Sequence, residues 1–212
     1  MSERYLFLGD SVTDCDRQRS VKQPNRAEAL GYGWVNRVAT ELLAQQPMAQ
    51  IWNRGFGGCR MNELLQQDWC PLKQTRGGDF TCITLMLGIN DIWSPMANGE
   101  TPQIANILVD FDRLLTTLES LAEHLVVMEP FAIPGTATTD EWWAPLRELQ
   151  QGMAERVAQH QLTWLPVQAA FGEQSKQHPE LWAYDGVHPE VLGHQWLAEH
   201  WLATQKLKVR NV

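Results

Sequence analysis

Residue types that cooperate in acyl transfer occur in this chain within short, recognisable blocks. Ser11, in Gly9-Asp10-Ser11, carries a hydroxyl that is a weak nucleophile alone. It needs an adjacent base, and the base needs a group that fixes its tautomer. Both occur near the C-terminus in Asp185-Gly186-Val187-His188-Pro189. There an Asp and a His three apart in a turn can be neighbours, and Pro189 can fix the start of the element that follows. Acyl transfer also needs donors for a developing oxyanion. The Gly57-Gly58 amides can approach a substrate closely because neither residue has a Cβ, and Asn90, in Gly88-Ile89-Asn90-Asp91, adds a side-chain N–H.

These residues can meet only if the elements between them place them at one edge. Strand-like runs are expected at Tyr5–Leu8, Gln50–Trp52, Thr81–Leu87, Leu125–Met128 and Leu162–Val167. Helical spacing links Trp34, Val35, Val38, Leu42 and Leu43, then Met61, Leu64, Leu65 and Trp69. Further stripes run from Ile104 through Leu118 and from Trp142 or Trp143 through Val157. Thr101-Pro102 reads as an N-cap followed by proline at N1, and Pro189 reads as opening a last helix with Leu192, Trp196 and Leu197. Strand alternating with helix predicts one three-layer α/β domain over 1–212 with a five-stranded, mostly parallel sheet. In such a sheet the ligand site lies at the carboxyl ends of the strands. The polar and glycine-rich blocks are expected right after the first three.

In this order and in these positions the blocks Gly9-Asp10-Ser11, Asn53 to Gly58, Gly88-Ile89-Asn90-Asp91 and Asp185-x-x-His188 resemble the SGNH (GDSL) hydrolases. Thr13-Asp14, Asn53-Arg54-Gly55, Trp93 and Glu129-Pro130-Phe131 are similar to a bacterial esterase branch of that family. The likeness covers nearly the whole chain. It implies a flavodoxin-like fold without metal or cofactor. It also implies Ser11 as nucleophile, with His188 and Asp185 as its partners. The implied oxyanion donors are the Ser11 amide, the Gly58 amide and the Asn90 side chain. Gly58 is favoured over Gly57 because the family's glycine lies five positions after the block's asparagine. The implied activity is hydrolysis of short-chain carboxylic esters through an acyl-enzyme, with O-acetyl carbohydrate as one substrate class. A thioesterase or lysophospholipase using the same three residues is the alternative. A carbohydrate-binding protein that has lost catalysis is a more distant one.

Asp10 and Trp93 are taken as substrate contacts, with core packing as the other role open to Trp93. Trp52, Trp142, Trp143 and Trp182 are placed near the same edge, whereas Trp34, Trp69 and Trp196 fit helix core faces. Asp14, Asp16 and Arg17 form either a solvated loop or a brace for the active edge. Cys59 reads as a small buried hydrophobe. His178 is a rival base, but no Asp lies three residues ahead of it. His188, His194 and His200 recur every six residues, which turns them to different faces of a helix, so they suggest no metal site. Arg60 replaces the third glycine a dinucleotide loop needs, and there is no Gly-x-Ser-x-Gly elbow.

Composition narrows the partners. The 212 residues carry 17 Lys and Arg against 25 Asp and Glu, a formal charge of −8. That balance disfavours nucleic acid and anionic membrane surfaces, and leaves a small-molecule ester as the expected partner. No apolar run approaches the roughly 20 residues of a membrane span. The N-terminal stretch lacks a basic segment followed by an apolar one. The four cysteines form no C-x-x-C pair. A cytoplasmic location with free thiols is expected.

Overall fold

A computed structural model describes residues 2–72 and 77–209. Residues 1, 73–76 and 210–212 of the expected domain lie outside the described residues. The strands are β1 (Arg4–Gly9), β2 (Gln50–Gly55), β3 (Phe80–Met86), β4 (Ala122–Met128) and β5 (Thr163–Leu165). The helices are α1 (Ser11–Asp14), α2 (Ala27–Leu30), α3 (Trp34–Gln45), α4 (Ile89–Ala97), α5 (Ile104–Glu119), α6 (Trp143–Gln159), α7 (Gln168–Ser175) and α8 (Val191–Val209).

All strand pairs are parallel, in the order β2-β1-β3-β4-β5. Both faces of the sheet are buried, as parallel sheets require. Side chains alternate between the two cores with period two. Leu6 and Leu8 of β1, Ile83 and Leu85 of β3, and Leu125 and Val127 of β4 pack toward α5 and α6. Tyr5, Phe7, Cys82, Val126 and Met128 pack toward α3 and α8. Trp201 of α8 is fully buried, and its indole N–H donates to Thr84 Oγ1 at 3.0 Å. The order reverses between β1 and β3, so their carboxyl ends open the crevice where ligands bind in this class of sheet.

Several local expectations are corrected. The second polar block does not follow its strand but begins inside it, because the β1–β2 pairing runs on to Gly9 and Gly55. Asn53 and Arg54 are tolerated there because their buried polar groups find backbone carbonyls. Met61 to Trp69 is not a helix. Only a 3₁₀ turn forms at Leu64–Gln66, where Arg60 closes locally onto Glu63. Residue 102 is not N1, because Pro102 is buried in the approach and the helix begins at Ile104 with Gln103 as its cap. Pro189 likewise precedes its helix by two residues.

Four helices were not expected: the single turns α1 and α2, and the longer α4 and α7. Ile89, Ile92, Trp93 and Met96 do repeat at three and four, but Gly88 and Pro95 obscured α4. In α7 only Phe171 and Ser175 are buried, too few to show a stripe. Trp52 is not at the active edge. It lies mid-strand opposite Leu6, buried edge-to-face against Phe80 at 6.2 Å.

Candidate active site

β1 ends at Gly9, and α1 begins two residues on. The Asp10 carboxylate caps α1 by accepting from Val12 N at 3.0 Å. Ser11 is therefore the first residue of a one-turn helix, where backbone N–H groups have no intrahelical acceptor. Among the described residues the Ser11 N–H has no other acceptor. Asn53 ties this helix down: its Nδ2 donates to the Thr13 and Leu30 carbonyls at 2.6 and 2.8 Å. Gly55 allows the close approach. A Cβ there would sit 2.2 Å from Asp14 N.

The Ser11 hydroxyl lies 2.8 Å from His188 Nε2. His188 Nδ1 lies 2.6 Å from Asp185 Oδ2. Asp185 Oδ1 accepts the backbone amides of Val187 and His188 at 2.9 and 2.7 Å. Burial pushes the Asp185 carboxyl up, but the His188 ring and the two amides outweigh it and hold the group below the usual aspartate range. This loop is strapped to the segment after β4. Ile133 N donates to Gly186 O at 2.8 Å, and Ala137 N donates to Asp185 O at 3.0 Å. His178 is exposed and faces Glu180 at 3.3 Å, not this serine.

The second donor block is a tight turn. Phe56 N donates to Gly9 O at 2.9 Å, and Cys59 N closes the turn onto Phe56 O at 3.0 Å. Gly58, third in that turn, has φ +78°, the region that favours glycine. Its N–H has no acceptor among the described residues. A Cβ built on Gly57 would lie 4.0 Å from Ser11 Cβ, which places the turn beside the nucleophile. From the first turn of α4, Asn90 Nδ2 donates to Cys59 O at 3.2 Å and keeps its second N–H for another acceptor. Three donors with unfilled capacity thus lie just beyond the carboxyl ends of β1, β2 and β3.

Trp93 of α4 packs its ring against His188 at 5.7 Å and against buried Trp142 at 5.5 Å. Trp143 donates to Asp140 and Trp182 packs on Phe171, so both serve local packing. Asp10 does not line the open cleft. It is only 2% exposed, and burial pushes its carboxyl up to about 7. Asp91 is its counterpart beside Asn90. It accepts Met61 N through both oxygens, and burial again raises it to about 7. Cys59 is buried, with its thiol pushed up to about 12.

The cleft on Ser11 has a volume of about 420 Å³, with Ser11, Asp14, Cys15, Arg19, His188 and His194 among its lining. Sequence reasoning left Arg19 and His194 without a role here. Asp14 and Arg17 are buried rather than solvated. Asp14 binds Arg19 and accepts Gly57 N at 3.0 Å, while Arg17 Nε donates to Gly55 O at 2.9 Å. Their only sequence signal was proximity to Ser11.

A parallel five-stranded sheet with a Ser–His–Asp chain and free N–H donors at its carboxyl edge is the arrangement of a serine hydrolase of the SGNH type. The profile of the GDSL-like lipase/acylhydrolase family matches residues 7–196, and the chain belongs to that family. It is 30% identical to an acetylxylan esterase from Geobacillus stearothermophilus over 94% of this chain and 92% of that protein. Among solved structures it superposes on a GDSL-like lipase from Parabacteroides merdae with a TM-score of 0.87, at 28% identity, over 97% and 96% of the two chains. The structure of the Geobacillus stearothermophilus acetylxylan esterase gives 0.79 at 27% identity over 95% and 93%. The chain is a carboxylic ester hydrolase of this family.

Proposed function

We propose that this enzyme removes short acyl groups, acetyl first among them, from carbohydrate esters through an acyl-enzyme on Ser11. The observation that carries the reading is the unbroken Ser11–His188–Asp185 chain, at 2.8 and 2.6 Å, opening on a polar cleft. Ser11 Oγ attacks the ester carbonyl carbon while its proton passes to His188 Nε2. Asp185, held ionised, keeps the Nδ1 proton in place and stabilises the imidazolium. The Ser11 and Gly58 amides and Asn90 Nδ2 bind the oxyanion. His188 returns the proton to the departing alcohol, and water activated by the same ring then releases the carboxylic acid.

Asp14, Asp16 and Arg19 in the cleft lining offer partners to the hydroxyls of a sugar-like alcohol, and the acetylxylan esterase relative supports the same reading. Trp93, packed between His188 and Trp142, is the proposed limit on the acyl group. The thioesterase or lysophospholipase reading needs an apolar channel. The cleft on Ser11 is instead lined by the charged Asp14, Asp16 and Arg19. The proposal takes one catalytic domain over the whole chain. It places it in the cytoplasm, which suits the free thiols of Cys15, Cys59, Cys70 and Cys82. Among the described residues no helix is long and apolar enough to cross a membrane.

The test is a panel of p-nitrophenyl esters of increasing chain length together with acetylated xylo-oligosaccharides, with Ser11→Ala protein as control. Highest kcat/KM on acetyl substrates and no turnover by Ser11→Ala are expected. A maximum at eight carbons or beyond overturns the acyl assignment.

A further inference from the structure

We infer that Asp14 is a positioning residue that decides which of two adjacent glycine amides serves the oxyanion; this rests on the catalytic assignment proposed above. Gly57 and Gly58 sit side by side in the turn next to Ser11, and only one of their N–H groups is taken. Asp14 Oδ2 accepts Gly57 N at 3.0 Å, while Gly58 N is left without an acceptor among the described residues. A carboxylate is a strong acceptor for a backbone amide, so Gly57 stays committed to Asp14.

Asp14 lies three residues beyond Ser11 on the same one-turn helix, with its side chain 9% exposed. It therefore joins the helix of the nucleophile directly to the turn of the donor. Arg19 binds the same carboxylate oxygen and lies over the Phe56 ring at 5.7 Å. Arg17 covers that ring at 5.0 Å and donates to Gly55 O. Both cations thus hold the start of the turn, and they offset a negative charge that would otherwise oppose an oxyanion close by.

The need for such a clamp follows from the turn's sequence. Two glycines give the turn more backbone freedom than any other pair of residues. The Gly57 N–H belongs to the Phe56–Gly57 peptide, so its bond to Asp14 fixes that peptide against the helix of Ser11 and withholds this amide from a substrate. Asn90 holds Cys59 O on the far side of the turn. The Gly58 N–H is the amide left for the oxyanion.

The experiment compares wild type, Asp14→Ala and Asp14→Asn on p-nitrophenyl acetate. Active sites are titrated with a fluorophosphonate, so that kcat refers to folded, competent enzyme. Asn keeps a side-chain oxygen that can accept Gly57 N–H, and Ala does not. Asp14→Ala is expected to lose roughly 10–100-fold in kcat, up to the effect of removing one oxyanion donor, with KM little changed. Asp14→Asn is expected to recover most of that loss. If Asp14→Ala does not fold, Asp14→Ser, too short to reach Gly57, takes its place. Unchanged kcat in Asp14→Ala, or equal impairment of the Asn and Ala variants, overturns the inference while wild type still turns over. A wild type that neither turns over nor reacts with the fluorophosphonate overturns the catalytic assignment itself, and the inference with it.

Discussion

His194 should make the stability of this enzyme depend on pH in a way that can be isolated by one substitution. The ring is 8% exposed and lines the cleft beside the catalytic pair. Its Nδ1 accepts the Trp34 amide at 3.3 Å at the start of α3, and its Nε2 meets Cys15 Sγ at 3.3 Å. Protonation would spoil the first bond and put a buried cation near Arg37. Burial, then Arg37, lowers its pKa from 6.5 to about 4. The unfolded chain therefore binds a proton between those values that the folded chain refuses. Stability from neutral His194 is complete above pH 6.5 and is lost as pH falls toward 4. Between pH 7.5 and 4.5 this linkage amounts to about 2–3 kcal/mol.

Asp10 and Asp91, raised to about 7, act in the opposite sense: they favour the folded state at low pH and lose that contribution as pH rises to 7. The wild-type curve alone therefore mixes both trends, and the useful quantity is the difference from His194→Gln. Urea unfolding followed by tryptophan fluorescence at pH 7.5 and 4.5 measures it for both proteins. Relative to His194→Gln, the wild type should lose about 2–3 kcal/mol on acidification. A stability gap between the two proteins that is the same at both pH values refutes the argument, since it would mean that folding does not perturb this histidine.

Asn90→Ala should lower kcat on acetyl esters by roughly 10²–10³ with little change in KM, the usual effect of deleting one oxyanion donor; steady-state kinetics on p-nitrophenyl acetate checks it. Gly55→Ala places a methyl 2.2 Å from Asp14 N, so it should cost about 1–3 kcal/mol by forcing backbone apart. Denaturant titration reads that loss, and wild-type stability in the variant counts against so close an approach of α1 to β2.

Much of the site was legible because its chemistry follows strands. Ser11, Gly58, Asn90 and His188 lie in short blocks whose order matches the sheet edge, and the continuous apolar runs of β1, β3 and β4, buried on both faces, made those strands readable. What was not legible depends on partners distant in the chain. Asp14 reads as a loop carboxylate until β2 brings Gly57 to it. Trp52 reads as a rim aromatic because the run seemed to stop there, whereas pairing with β1 carries the strand three residues further. The repeat from Met61 to Trp69 has helical spacing, but Arg60 closes onto Glu63 and only a single 3₁₀ turn forms there. Asp10 sits next to the nucleophile in sequence, yet it is turned inward to cap α1, a direction set by backbone geometry that composition does not encode.

The spacing of Asp185 and His188 has a mechanical meaning. One carboxylate holds both the ring and the backbone amide of His188, so base and orienter move as a single rigid body fastened to residues 133–137. Ser11, with Asp14 and the glycine turn, belongs to a second body fastened to β1 and β2. The relay crosses between these two segments at the 2.8 Å hydrogen bond between Ser11 Oγ and His188 Nε2, and His194 against Cys15 ties the same segments together a second time. A shift of one segment against the other would break the Ser11–His188 bond while leaving the Asp185–His188 pair intact.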